Sequence, residues 1–216
     1  MGLEELEDYG VKLYRLVAAE GRPAKLFVGG LHGNEGLYTA PILERLALEE
    51  IYRGEVIIVP SLVENSKYIG VLSEDYYQSE AGMKLLQLIH HYKPRFYFEL
   101  HAYEKPSYAR LTDPERVKKV GVPEFVDLDE GILIGSIAPI LRRTFTINDF
   151  CMTIEVPKWK SEQAQIKEKV LEVLRVGLTK ADREEVMHEF RMRYPTPIKM
   201  AEELFHQYYR EHLKPF

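Results

Sequence analysis

The feature that most constrains the fold of this chain is an alternation of short apolar runs with segments of helical periodicity. The apolar runs predict buried strands, and they span residues 11–19, 24–28, 55–60, 95–100 and 151–156. The segments 37–50 and 80–92 place their apolar residues on one side of a helix. Because strands that alternate with helices favour an α/β fold, we predict a mixed central sheet flanked by helices.

The rest of the chain is predicted to be mainly helical. Residues 131–141 carry widely spaced aliphatic side chains and predict a helix, although Pro139 falls inside it. From Ser161, interpreted as an N-cap, the periodicity predicts helices to the end with one break at 194–197. No internal repeat, low-complexity run or Gly/Ser linker divides the sequence. We therefore predict one domain over residues 1–216, helical from about residue 161.

Composition argues against several classes of partner. The net charge of -5 comes from 34 acidic and 29 basic residues that are mixed along the chain, without the basic stripe of a nucleic-acid-binding protein. No stretch is long and apolar enough to cross a membrane, and the acidic start lacks the features of a secretory signal. The single cysteine, Cys151, excludes an intrachain disulfide, so we expect a cytoplasmic protein. The apolar stripes of the C-terminal helices cover a core or form a homo-oligomer interface.

Three residues with catalytic chemistry lie at or near the ends of predicted strands. His32 follows the second predicted strand, His101 follows the fourth, and Glu155 lies within the fifth. In α/β sheets, ligands bind at the carboxyl ends of the strands. We therefore expect these three side chains to share one edge of the sheet.

A metal site is predicted from the spacing of two of the candidate ligands. His32 and Glu35 stand three residues apart in a turn that Gly33 and Gly36 bracket. Glycine permits the tight curl that points an imidazole and a carboxylate at one ion. Catalytic zinc takes three ligands from histidines and carboxylates, and His101 supplies the third if the fold brings it alongside. A lone histidine is more often structural, so the prediction of one Zn²⁺ per chain depends on all three motifs together.

The motifs around these residues resemble those of the zinc carboxypeptidase superfamily, and especially its succinylglutamate desuccinylase and aspartoacylase branch. The stretches that carry the resemblance are Gly29-Gly30-Leu31-His32-Gly33-Asn34-Glu35, Glu99-Leu100-His101 and Thr153-Ile154-Glu155-Val156. The whole chain resembles more closely a small archaeal family of unassigned function, found largely in methanogens. The resemblance implies a carboxypeptidase-like core of the phosphorylase/hydrolase-like type, with Zn²⁺ held by His32, Glu35 and His101. It also implies that Glu155 is the general base that activates water against an amide or ester carbonyl.

One motif of that branch is absent from this sequence. Its members normally carry an Asn-Arg pair in the interval between metal motifs, where the arginine binds the substrate carboxylate. The corresponding stretch 75–78 contains no arginine, and Lys67, near Asn65, cannot make the planar two-point contact of an arginine. The substrate therefore lacks a free carboxylate, or Lys67 or an arginine from elsewhere binds it. The candidate substrate-binding residues are Asn65, Lys67, Arg110 and Arg142, with Arg143 as a further alternative.

These features predict a zinc-dependent hydrolase that cleaves an amide bond of an N-acyl amino acid or small peptide. An esterase with the same site, and a non-catalytic relative that keeps the metal as a binding or structural module, remain alternatives. Glu155 favours the enzyme, because a structural zinc site closes its fourth position with a protein ligand and has no use for a base. The alternative role for this carboxylate is that of a buried partner of Lys158 or Arg142.

Overall fold

A mixed sheet forms the centre of the molecule, of which the computed structural model describes residues 3–209. The strands are β1 (Leu3–Asp8), β2 (Val11–Val17), β3 (Ala24–Gly29), β4 (Glu55–Val59), β5 (Phe96–Tyr103), β6 (Val126–Asp129), β7 (Ile132–Gly135) and β8 (Phe150–Pro157). They follow the order β1-β2-β4-β3-β5-β8-β7-β6 across the sheet. The central strands β4, β3, β5 and β8 run parallel. β1, β2 and the β6–β7 hairpin add antiparallel edges on the two sides.

The three strands that carry or precede the candidate site residues lie side by side, as β3, β5 and β8. β5 pairs with β8 along its whole length, and this register places His101 directly opposite Glu155. β3 pairs with the other side of β5 and leads into the turn that contains His32. The carboxyl ends of these parallel strands therefore meet at one edge of the sheet, as the sequence predicts.

Helices pack on both faces of the sheet. In the described part of the chain they are α1 (Gly36–Leu46), α2 (Glu74–Gln78), α3 (Glu80–Tyr92), α4 (Tyr108–Leu111), α5 (Arg116–Val120), α6 (Pro139–Arg142), α7 (Ala164–Thr179), α8 (Arg183–Arg193) and α9 (Pro195–Tyr209). None of these helices is both long and apolar enough to span a bilayer. The observed architecture confirms the predicted α/β fold, with a mixed central sheet flanked by helices.

Each face of the sheet has its own apolar core. Along β3, Phe27 packs on one face, whereas Leu26 and Val28 pack on the other. Residues of α1, α7 and α8 cover the first face, and residues of α2, α3 and α6 cover the second. Because both faces are covered, the central strands are continuous apolar runs without the polar alternation of a half-exposed sheet.

Helix α7 approaches the sheet closely at Gly177. A Cβ atom at this position would lie 2.2 Å from Cε2 of Phe98. The ring of Phe98 is itself stacked on Phe27, with ring centroids 5.0 Å apart, and both rings are fully buried. The absence of a side chain at Gly177 is therefore what lets α7 pack against the middle of β5.

The prediction of a helix over residues 131–141 is wrong. This segment forms β7 and the short helix α6. Glu130 and Gly131 adopt left-handed backbone conformations, with φ of 58° and 87°, and they turn β6 back into a hairpin with β7. Pro139 stands at the first position of α6, where a missing N–H has no cost, so it begins a helix and does not interrupt one.

Two other elements, the start of α7 and the strand β1, also differ from the prediction. Ser161 is not an N-cap, because its Oγ donates to the carbonyl of Lys158 after a 3-10 turn, and α7 begins only after Gln163. β1 was not predicted, since its sequence is rich in acidic residues and mostly exposed. It lies at the edge of the sheet and, within residues 3–209, pairs only with β2, which explains why its sequence lacks a buried pattern.

Candidate metal centre

Two histidines and one glutamate meet at the carboxyl-terminal edge of the parallel strands. Nδ1 of His32 lies 3.4 Å and Nδ1 of His101 lies 3.2 Å from Oε2 of Glu35. Each of the three residues is buried and offers one ligand atom, and these atoms all lie within 4.8 Å of one another. The structure thus brings together the three ligands that the sequence predicts.

The turn after β3 is held in the curled form that this convergence requires. Gly30 and Gly33 both have a φ of 59°, which favours glycine. A Cβ on Gly30 would lie 2.2 Å from Oγ of Ser61, so the turn passes directly against the loop that follows β4. The N–H of Gly33 donates to Oγ of Ser66, and its carbonyl accepts from the N–H of Ser66. The loop after β4 therefore fixes the backbone of the turn that carries His32 and Glu35.

The two histidines differ in charge when no metal is present. Burial and the nearby His101 lower the pKa of His32 to about 4, so its imidazole is neutral at pH 7. Burial by itself would lower the pKa of His101, but the carboxylates of Glu35 and Glu99 outweigh it and hold that pKa well above its ordinary value. For Glu35, burial by itself would raise the pKa, but the two neighbouring histidines have the larger effect and lower it. Binding of a metal would therefore displace a proton from His101.

The donor set and its surroundings fit a divalent cation. Nδ1 of His32 is buried and has no hydrogen-bond partner among residues 3–209, although it faces the carboxylate of Glu35. A buried polar atom without a partner is costly, and a metal ion would satisfy it. Two imidazole nitrogens and one carboxylate form a donor set found at catalytic zinc sites. Cobalt, manganese and nickel also accept such ligands.

Glu155 stands opposite His101 of this cluster and lines a cavity. Burial raises the pKa of Glu155 to about 7, although His101 opposes that shift. Neither of its alternative partners takes this carboxylate: Lys158 lies 3.3 Å from Glu104, and Arg142 donates to main-chain carbonyls. Glu155 is therefore poised to exchange a proton near neutral pH.

The cavity has a volume of about 370 Å³ and opens beside the three ligands. Part of its wall comes from residues 102–125, after His101, and another part from residues 135–138. The buried apolar side chains of this wall include those of Leu111, Val122, Phe125, Ile137 and Ala138. A concave, largely apolar wall with a few charged groups at one side is typical of a small-molecule site.

Two arginines border the cavity. Arg110, a predicted substrate-binding residue, is exposed, and its guanidinium lies 3.5 Å from Oγ of Ser107. Arg116, which the sequence prediction missed, donates to the carbonyl of Pro123 at 2.6 Å and lies 5.0 Å from the ring centroid of Phe125. No local signal distinguishes Arg116, because it stands in a charged run typical of a solvated helix surface.

The other predicted substrate-binding residues lie away from the cavity. Arg142 does not border the cavity: its guanidinium is buried and donates to the carbonyls of Thr146 and Asp149. Those carbonyls lie just before β8, at the end of the strand remote from the metal ligands. Asn65 and Lys67 are exposed on the loop after β4 and do not border the cavity. Of the four predicted residues, only Arg110 reaches the site.

The fold that carries this centre is that of the metallo-carboxypeptidases. The structure resembles a metallo-carboxypeptidase from Pseudomonas aeruginosa in complex with (2-guanidinoethylmercapto)succinic acid, with a TM-score of 0.50 and 12% identity over 86% of this chain and 65% of that one. It also resembles an aspartoacylase family protein from Mesorhizobium loti, with a TM-score of 0.46 and 15% identity over 79% of this chain and 62% of that one. The chain spans less than two thirds of the length of these two solved structures.

The chain belongs to the family described as an uncharacterized protein conserved in archaea (DUF2119), whose model matches residues 20–210. It is 48% identical over 181 residues to the uncharacterized protein MJ0501 of Methanocaldococcus jannaschii, which covers 82% of this chain and 87% of that protein. The predicted membership of an archaeal family and the predicted carboxypeptidase-like fold are both confirmed.

Proposed function

We propose that this chain is a zinc-dependent hydrolase that cleaves an amide bond of an N-acyl amino acid or a small peptide. The observation that carries the proposal is the position of Glu155, which lines the cavity and stands opposite His101 of the buried cluster of His32, Glu35 and His101. A purely structural metal site would close its fourth position and has no use for a titratable carboxyl group at its edge. The carboxypeptidase-like fold agrees with this function.

Glu155 is the group that moves the proton in this proposal. A divalent cation held by the three ligands would polarise the substrate carbonyl and make a water molecule a stronger nucleophile. Glu155 accepts a proton from the attacking water and later donates it to the leaving nitrogen. A pKa of about 7 suits both roles, because neither protonation state is strongly disfavoured at neutral pH.

The cavity wall supports a substrate with both an apolar and a negatively charged group. Its apolar side chains favour a hydrocarbon group next to the scissile bond. Arg110 and Arg116 are placed to bind a carboxylate, and arginine can do so through two parallel hydrogen bonds. In this proposal the two arginines bind the substrate carboxylate, a role that the sequence left open between Lys67 and an arginine from elsewhere in the chain.

The metal site is tested by elemental analysis of the purified wild type and of the His32→Ala variant. We expect about one zinc per wild-type chain and a loss of that zinc in the variant, because one of three ligands is removed. A wild-type protein that contains no metal and takes up none from added zinc would contradict the proposal.

The mechanism is tested by comparing Glu155→Gln with the wild type on a panel of N-acyl amino acids and short peptides, by assay of the released amine. The variant should keep its zinc and lose about 10²–10⁴-fold in kcat, because glutamine cannot accept the proton. Glu104→Gln is the matched control, since Glu104 also borders the cavity but is exposed. An unchanged rate of hydrolysis in Glu155→Gln would contradict the mechanism. Zinc binding without hydrolysis of any substrate would favour a binding module.

A further inference from the structure

A further buried carboxylate, that of Glu99, lies on the side of His101 away from Glu35. Glu99 stands two residues before His101 in β5, and alternate residues of a strand project to the same face of the sheet. Only 1% of its surface is exposed, although its side chain reaches the cavity wall. A carboxylate at such a depth is unfavourable unless several donors compensate for the lost water.

Three groups converge on this carboxylate. The hydroxyl of Tyr97 donates to Oε2 of Glu99 at 2.9 Å, and Oγ1 of Thr153 donates to Oε1 at 2.7 Å. Nε2 of His101 lies 3.5 Å from the same Oε1 atom. The two hydroxyls, one from β5 itself and one from the neighbouring β8, thus hold Glu99 in place, while one of its oxygen atoms lies near the imidazole.

The two ring nitrogens of His101 have different surroundings. Nδ1 faces Glu35 and the metal centre, whereas Nε2 is buried and has no acceptor within hydrogen-bond geometry among residues 3–209. An imidazole that binds a metal through Nδ1 must carry its remaining proton on Nε2. Oε1 of Glu99 lies 3.5 Å from Nε2 and is available to accept that proton.

We propose that Glu99 is a positioning residue of the metal centre. Its carboxylate accepts the Nε2–H of His101 and so fixes the ring with Nδ1 free to bind the cation. A carboxylate in this position also makes the imidazole a stronger donor to a metal. This inference rests on the proposed metal site, and it assigns to Glu99 no contact with the substrate.

The test measures the zinc affinity of the wild type, Glu99→Gln and Tyr97→Phe by competition with a chromophoric chelator. Glutamine keeps the size of the side chain but removes its charge, so we expect zinc to bind about 10–100-fold more weakly. Tyr97→Phe removes a hydrogen bond to the same carboxylate without touching His101, and we expect a smaller loss. The Co²⁺-substituted protein should show a changed visible spectrum in Glu99→Gln, which a merely destabilised fold would not produce.

A measurement on the wild type makes the test independent of how the variants fold. In ¹⁵N-edited spectra of the zinc-loaded protein, His101 should be the Nε2–H tautomer with a proton that exchanges slowly. An unprotonated or freely exchanging Nε2 would overturn the inference, as would a Glu99→Gln variant with wild-type zinc affinity. If the wild type binds no zinc at all, the proposed function fails together with the inference. If zinc binds and Glu99→Gln has no effect, only the inference fails.

Discussion

At the scale of single residues, the position of a side chain decides its chemistry. His101 and Glu155 face each other on neighbouring strands, yet their pKa values shift for different reasons. The pKa of Glu155 rises because burial disfavours its charge, whereas two carboxylates hold the pKa of His101 high despite burial. The pair therefore combines a carboxyl group that can release or take up a proton with an imidazole whose proton a metal would displace.

Arg116 is expected to bind the negative charge of the substrate. In Arg116→Met, the KM for acyl amino acids with a free carboxylate should rise about 10–100-fold, because a hydrogen bond to a charged group contributes about 1.5–3 kcal/mol. Analogues with an amidated carboxylate should be hydrolysed by the variant and the wild type alike. Steady-state kinetics on the two substrate series measures this difference.

Arg143→Met provides the control for that experiment. Arg143 is exposed and lies outside the cavity, so its removal changes the net charge equally but should leave both series unaffected. An equal loss on the free and the amidated substrates in Arg116→Met would instead assign Arg116 a role in shaping the cavity wall.

At the scale of elements, α7 makes two close contacts with the sheet near its C-terminal end. Gly177 lets the helix approach Phe98, and the buried Nζ of Lys25 in β3 donates to the carbonyls of Leu178 and Lys180, at 2.5 and 2.6 Å. These carbonyls lie at and just beyond the C-terminal end of α7, where a positive charge is favourable. Both contacts are made to β3 and β5, whose carboxyl ends lead to the candidate metal ligands. Helix α7 therefore helps to hold these two strands in position.

Gly177→Ala should destabilise the protein although alanine is the better helix former. Helix propensity alone would stabilise α7 by about 1 kcal/mol. The new Cβ would lie 2.2 Å from Phe98, and overpacking of a core of this kind costs about 1–3 kcal/mol or more. Because the ring of Phe98 is stacked on Phe27 and cannot move freely, we expect the steric cost to exceed the propensity gain. Urea unfolding measures the net change.

The double variant Gly177→Ala with Phe98→Leu separates the two effects. Removal of the ring opens space for the new methyl group, so the Gly177→Ala change should cost less in the Phe98→Leu background than in the wild type. A Gly177→Ala variant as stable as the wild type would show that α7 shifts without a penalty.

At the scale of the whole molecule, the candidate metal centre joins distant parts of the chain. The cluster joins the turn after β3 to β5. The loop after β4 holds this turn in place through Ser66. A cation that binds these ligands only in the folded state must stabilise the fold as a unit. Without it, the buried cluster holds the carboxylate of Glu35 between two imidazoles, each of which has a nitrogen atom without a hydrogen-bond partner among residues 3–209.

Added zinc should therefore raise the melting temperature. At a free concentration of about 100 times Kd the stabilisation is about 2.7 kcal/mol. For a chain of this size, that corresponds to a rise of roughly 5–10 °C in calorimetry. Because His101 must lose a proton to bind, the shift should shrink as the pH falls. His32→Ala should show little shift, and an equal shift in that variant would place the zinc elsewhere.

Local sequence predicted the residues of the candidate centre because their chemistry and spacing are local properties. His32 and Glu35 share one glycine-bracketed turn, whereas His101 follows and Glu155 lies within an apolar run that predicts a buried strand. Periodicity likewise gave α3 within its observed bounds. It failed for residues 131–141, because widely spaced aliphatic residues fit a helix and a buried hairpin strand equally well.

Tertiary structure decided what no local pattern encodes, namely which side chains meet and which are removed from solvent. Arg116 and Arg142 both stand at the ends of short helices, yet one borders the cavity and the other is buried against main-chain carbonyls. Glu99 and Glu155 acquire their surroundings only when β5 and β8 pair in one register. The sequence by itself thus determined the reactive groups and the elements that carry them. The packing of parallel strands determined their distances, burial and charge, because these depend on contacts between residues far apart in the chain.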